Sequence, residues 1–309
     1  MKLKVKFGLF FSALILSLTA GCTKETSKEI ETIEFKVQNQ EFEILETNDL
    51  FVNYLEKVDN TKDAKKLYEK EIIQPIYDSC FNEGEYINMA EDFLMNPPTD
   101  LSLLRTNVKN YDSETMIKNI KESITESVRY LQGNKKTTIC VIPSKHSIND
   151  NDILGLTVGS GKILMYTHLF DSDTSIQSTI AHEYHHSVWT DKYLESSPSD
   201  TVLDNIVFEG KAKMFEEKVL GNIAVDMSYD KERWLTIEDD LFKEDFERSL
   251  EIIEGNGIEL PILYGYSEGY KMIKSYLEEF PDTSIKEWTK LDAKTIYEKG
   301  KYKEKYYKD

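Results

Sequence analysis

Three of the five histidines of this 309-residue chain fall in one short stretch, TIAHEYHHSVW, from Thr179 to Trp189. Read as a helix, with each residue turned by about 100° from the last, His182 and His186 share a face one turn apart. That placement lets two imidazoles hold a single metal ion. Ile176, Ile180, Tyr184 and Val188 fall on the opposite side, so one face can pack into a core while the other looks into a cleft. Glu183 projects about 80° from the midpoint of the histidine pair. It is near enough to reach a water held by the metal without replacing it. His185 projects about as far to the other side, and the spacing leaves two roles open for it: a group behind the ligands or facing substrate, or plain packing.

Catalytic zinc takes three protein ligands and leaves a fourth position open, so a third must come from another element. The segment DNIVFEGKAKMFEE offers Glu209, 23 residues beyond His186. The pattern starts its helix at a Ser199 cap after SSPSD and runs it antiparallel to the first, with Gly210 and Ala212 allowing the two helices to approach closely. Asp204, Glu216 and Glu217 read as solvated helix charges. A hydrolytic site also gains from a donor aimed at the developing oxyanion; YGYSEGY supplies three phenols, of which Tyr266 is preferred over Tyr264 and Tyr270. The same spacing equally suits packing of Tyr266 on Tyr270. His168 reads as structural, and His146 lies in a polar loop.

These residues need elements to hold them. TIEFKVQNQEFEIL reads as a short β-hairpin. From Asn48 to about Leu131 the periodicity is helical, punctuated by Pro75 and by NPPTD. KTTICVIP and GKILMYTHLF are β-rich, joined by a stretch rich in Gly, Asn and Asp that has room for another short strand. They predict a small antiparallel sheet preceding the active-site helix, after which helices return. GLTVGSGK has the wrong glycine spacing for a phosphate loop, and Ile163 stands where Ser or Thr is required, so nucleotide binding is rejected. The expected class is α+β and mostly helical.

The chain from about Lys135 to Tyr302 resembles the bacterial predicted zinc-dependent protease family catalogued as domain of unknown function 2268, a gluzincin-type group. The resemblance rests on four segments in order: TIAHEYHHSVW, IVFEGKAKMF, YGYSEGYKMIKSYLEEFP and WTKLDAKTIYEKGKY. It implies zinc ligands at His182, His186 and Glu209, with Glu183 as general base. A gluzincin-like architecture and a peptide or protein substrate follow from the same resemblance, and an extended substrate could then add to the sheet edge near GKILMYTHLF.

The N-terminus carries Lys2, Lys4 and Lys6 before an uncharged run from Phe7 to Ala20, too short to span a bilayer and suited to a secretory signal. It ends in LTAGC, similar to the lipobox of bacterial lipoproteins, with Thr19 where Leu is usual. Lipid on Cys22 would anchor the chain at a membrane face. The expected organisation is a signal peptide at 1–21, lipidated Cys and polar tether at 22–30, hairpin and helical support at 31–134, and a metallopeptidase region at 135–309. Formal charge is −18 and becomes −21 without the three leader lysines, which argues against nucleic acid and anionic lipid as partners. The acidic runs lack calcium-loop spacing. Cys80 and Cys140, both in apolar surroundings, read as buried free thiols. The sequence therefore points to a membrane-anchored, extracytoplasmic zinc metallopeptidase; the alternative is a non-catalytic lipoprotein that binds zinc or a partner.

Overall fold

A computed structural model describes residues 30–145, 154–168, 172–197, 200–221 and 223–307. The leader, Cys22, His146 and Ser199 lie outside the described residues. Five strands form one sheet: β1 (Glu31–Val37), β2 (Gln40–Glu46), β3 (Thr137–Pro143), β4 (Gly155–Gly159) and β5 (Lys162–Thr167), in the order β1-β2-β3-β5-β4. The expected hairpin is β1–β2, which turns at Gln38 in the left-handed region.

The sheet is mixed, which corrects the antiparallel expectation. β2 pairs parallel to β3 and β3 parallel to β5, while β1–β2 and β4–β5 are antiparallel. Helices intervene between β2 and β3, and a long crossover returns a strand in the same direction. Between β3 and β5 the chain first lays down β4 as the outer edge, then turns back inside it.

Strand side chains alternate between two cores. Phe42, Ile44, Ile139, Val141, Ile163 and Met165 face one; Leu45, Cys140, Ile142 and Leu164 face the other. The second core is closed by α1 (Asn48–Val58), α2 (Ala64–Tyr68), α3 (Gln74–Cys80), α4 (Glu91–Met95) and α5 (Leu101–Asn110). Against expectation, Pro75 does not end the helix: it follows a π-helical turn at Glu69–Ile73 that joins α2 to α3 without a break. Cys80 and Cys140 are bridged, against the free-thiol expectation. Both are buried at the α3–β3 contact with Cα atoms 6.1 Å apart, inside the reach of a disulfide.

The first core is covered by α6 (Ser113–Tyr130), α7 (Asp173–Tyr193) and α8 (Val202–Leu220), then by α9 (Lys231–Leu235), α10 (Phe246–Glu254), α11 (Tyr264–Glu279) and the short α12 (Ile285–Lys290), α13 (Ala293–Lys299) and α14 (Tyr302–Tyr306). A capping box of Ser172 and Ser175 starts α7. Thr201, with Asp204 reciprocating, starts α8 two residues beyond the expected Ser199. The close helix approach expected between α7 and α8 occurs between α8 and α11: a Cβ on Gly210 would lie 2.0 Å from the Gly269 carbonyl carbon, so only glycine lets these backbones touch. This crossing brings Glu209 and Tyr266 to the same side of α7.

Candidate metal centre

His182 and His186 stand one turn apart on α7, and Glu209 reaches them from α8. The His182 and His186 Nε2 atoms are 2.9 Å apart, and Glu209 Oε2 lies 3.0 Å from the first and 3.2 Å from the second. All three side chains can place one ligating atom at a common point. Tetrahedral zinc with bonds of 2.0–2.1 Å separates its ligands by about 3.3 Å, so the trio needs to open by only a few tenths of an ångström. Two imidazoles and a carboxylate are a donor set that zinc accepts.

Glu216 completes the arrangement from behind. Its Oε1 is 2.7 Å from His182 Nδ1, its other oxygen accepts from Lys213 Nζ at 2.7 Å and from Ser178 Oγ, and its side chain is 2% exposed. With a proton on Nδ1 held toward Glu216, the Nε2 lone pair is directed at the metal position. The contacts Ser178–Glu216 and His186–Glu209 also show that α7 and α8 run antiparallel, as expected.

A family model described as "Predicted Zn-dependent protease (DUF2268)" matches residues 116–298, from the first turn of α6 into α13, and takes in every residue of this centre. The chain belongs to this family. No curated protein and no solved structure matches it.

Within this member of the family Glu183 is 8% exposed and is held by the sheet. Thr157 Oγ1, on edge strand β4, lies 2.8 Å from both the Glu183 main-chain oxygen and its Oε2. Gly155, two residues earlier on β4, leaves the room this requires: a Cβ there would stand 2.7 Å from Glu183 Cγ and 2.5 Å from Thr179 Cγ2. Tyr266, on the first turn of α11, packs its ring 5.7 Å from that of His182. Burial and the nearby Glu209 and Glu183 carboxylates hold its phenol well above the usual tyrosine value, so it stays a donor at physiological pH.

The other phenols are elsewhere. Tyr270 donates to Glu217 at 3.0 Å, and Tyr264 is buried in the core. His185 is fully buried, its ring 5.8 Å from Trp288 and 5.4 Å from Phe215, with Nε2 3.4 Å from Thr289 Oγ1. Packing is therefore its role, and it does not face a substrate. Burial keeps it neutral, pushing its pKa well below the usual value. His168 is buried just beyond β5.

Two expectations about carboxylates change. Asp204 belongs to the α8 cap. Glu216 is no solvated charge, and it lies seven residues beyond Glu209, two turns on, so the same helical face carries both. That spacing was the available signal. Thr157 and Gly155 had none, because their contact with Glu183 depends on where β4 falls at the sheet edge.

The electrostatics of the trio follow from this crowding. Burial disfavours an imidazolium at His182, yet hydrogen bonds to Glu209 and Glu216 outweigh it and raise its pKa to about 10. Burial works against Glu209 as well, and the paired histidines still hold its carboxyl far below the ordinary range.

Proposed function

We propose that this chain is a gluzincin-type zinc metallopeptidase, exported and anchored at the outer face of a membrane by lipid on Cys22. Convergence of His182, His186 and Glu209, with Glu183 pinned beside them by Thr157, is the observation that carries the reading. Family membership supports peptide-bond hydrolysis as the reaction. The disulfide between Cys80 and Cys140 supports an oxidising compartment. LTAGC and the apolar run before it support the anchor. In this reading the metallopeptidase region begins near residue 135, and residues 31–134 brace it.

His182, His186 and Glu209 would hold the zinc, whose Lewis acidity would favour attack of water on a peptide carbonyl. Glu183 takes the proton of the attacking water on its carboxylate and passes it to the leaving amine. Thr157, bonded to Oε2, fixes that carboxylate's orientation, and the bare Cα of Gly155 leaves Oε1 uncrowded. Tyr266, kept protonated, donates to the carbonyl oxygen as negative charge develops on it.

Glu183→Gln tests this. Zinc content stays near one per chain and cleavage of a diverse peptide library disappears; full activity in the variant would falsify the mechanism. A wild type replete with zinc yet inert toward the whole library would favour the non-catalytic lipoprotein instead.

A further inference from the structure

Beside the metal centre a half-open cleft of about 490 Å³ lies between the end of α7, the start of α8 and the α12–α13 turn. Phe208 belongs to both places. Its ring stacks on His186 with centroids 4.0 Å apart, and it walls the cleft together with Trp189, whose ring meets it edge-on at 5.0 Å. Tyr86 supplies a third aromatic surface. Whatever fills this space lies one aromatic ring away from a proposed zinc ligand.

The charge of the lining is one-sided. Asp200, Asp204, Glu244 and Asp292 contribute carboxylates, and among the described residues the one cation of the lining is Lys211. That ammonium is 4% exposed, donates to the Thr289 and Leu291 carbonyls at 3.1 and 2.5 Å, and interacts with Asp292 and Asp204, so the carboxylates it does not offset are Asp200 and Glu244. A metal ion is not the occupant this suits: among the described residues only His182, His186 and Glu209 bring three ligating atoms together. Anionic side chains would meet like charge. A long aliphatic stem ending in a cation matches both components, its methylenes against the aromatic faces and its head among the carboxylates.

We propose that this cleft is a specificity pocket that receives a lysine or arginine side chain of the peptide bound at the zinc centre. The proposal rests on the peptidase reading and adds the substrate class to it. The volume falls within the range of pockets that bury most of a small ligand, and it exceeds what one side chain fills, so the neighbouring residue of the peptide enters in part.

The test separates binding from cleavage. Zinc-loaded Glu183→Gln protein is titrated with fluorescent peptides that differ at one position, carrying lysine, arginine, norleucine or glutamate. The basic peptides bind about tenfold more tightly than the norleucine peptide, the order expected from a few partly exposed ion pairs. In the Asp200→Asn/Glu244→Gln background that gap closes, the loss falling selectively on lysine and arginine. Glu244→Lys reverses the preference toward glutamate. Zinc content and melting temperature of each variant report that it is folded.

Equal binding of all four peptides, or a basic preference that survives both variants, overturns the pocket. If wild type cleaves the library with no enrichment of lysine or arginine near the cut, the pocket falls and the peptidase stands. If nothing is cleaved while the carboxylate-dependent preference persists, the peptidase falls and the site remains one for basic peptides.

Discussion

The two faces of the sheet are made by the same strands, yet they bury different chemistry. Under α1–α5 the core is aromatic and aliphatic, with Tyr54, Tyr68, Phe81 and Phe93 in edge and stacked contacts, and a disulfide fastens α3 to β3. Under α6–α14 the buried set includes His182, Glu183, His185, His186, Lys211, Glu216, Glu268 and Lys271. Buried charge is costly unless it is paired and hydrogen-bonded; the Glu268–Lys271 pair meets both conditions, while the Nδ1 atoms of His185 and His186 are buried without a hydrogen-bond partner. Glu268 accepts from Lys271, which also donates to the Ser228 carbonyl, and from the Tyr302 hydroxyl at 2.6 Å; burial pulls Lys211 down to about 7. Apart from the buried Lys145, whose ammonium donates to the Asp92 and Asn96 carbonyls, the first face is thus sensitive to volume and cross-linking, the other to the gain or loss of a single proton or acceptor.

Removing the cross-link is the strongest challenge to that division. Cys80→Ala combined with Cys140→Ala frees a loop of 60 residues, which costs about 4 kcal/mol of stability by chain entropy and lowers the melting temperature. Zinc stoichiometry and specific activity of the folded fraction stay at wild-type values. A folded double variant that no longer binds zinc would show that the faces are coupled.

Gly155→Ala probes the join between sheet and site. The added methyl must displace Glu183 or Thr179, and an error of about 1 Å in a catalytic group costs on the order of a hundredfold in rate. The loss appears in kcat while zinc content holds. Unchanged kcat would mean that β4 yields to the methyl and does not position the carboxylate.

Part of this arrangement is legible in the sequence. That His182 and His186 share one face was legible because helical periodicity fixes neighbours three and four residues apart, whereas the approach of Glu209 from a separate helix was expected from the family resemblance and not from periodicity. The hairpin was legible from its two-residue alternation and the major helices from their 3.6-residue period. Sheet direction was not, since β2 and β3 are separated by most of the N-terminal helices and nothing local records how a distant strand returns. The disulfide, the Thr157 contact and the Gly210–Gly269 crossing are likewise long-range. Glu216 lies between these cases: its position on the helix was readable, but its burial required knowing that α7 covers that face.

Glu216→Gln gives a smaller and more discriminating effect. Removing a carboxylate that holds a ligating histidine weakens metal binding by roughly 10- to 100-fold, and chelator competition at pH 9 measures it. The gap should narrow toward neutral pH. In the wild type Glu209 and Glu216 hold the His182 pKa at about 10 in the absence of metal, so at every pH below that value a proton competes with zinc for the ring, and affinity falls as pH falls. Glutamine at 216 carries no charge, His182 gives up its proton at lower pH, and the variant loses less affinity on the way down. The ratio of wild-type to variant affinity therefore shrinks from pH 9 to pH 7, with fewer protons released per zinc bound by the variant. A ratio independent of pH would mean that Glu216 only orients the ring, and that the proton on His182 is held by Glu209 alone.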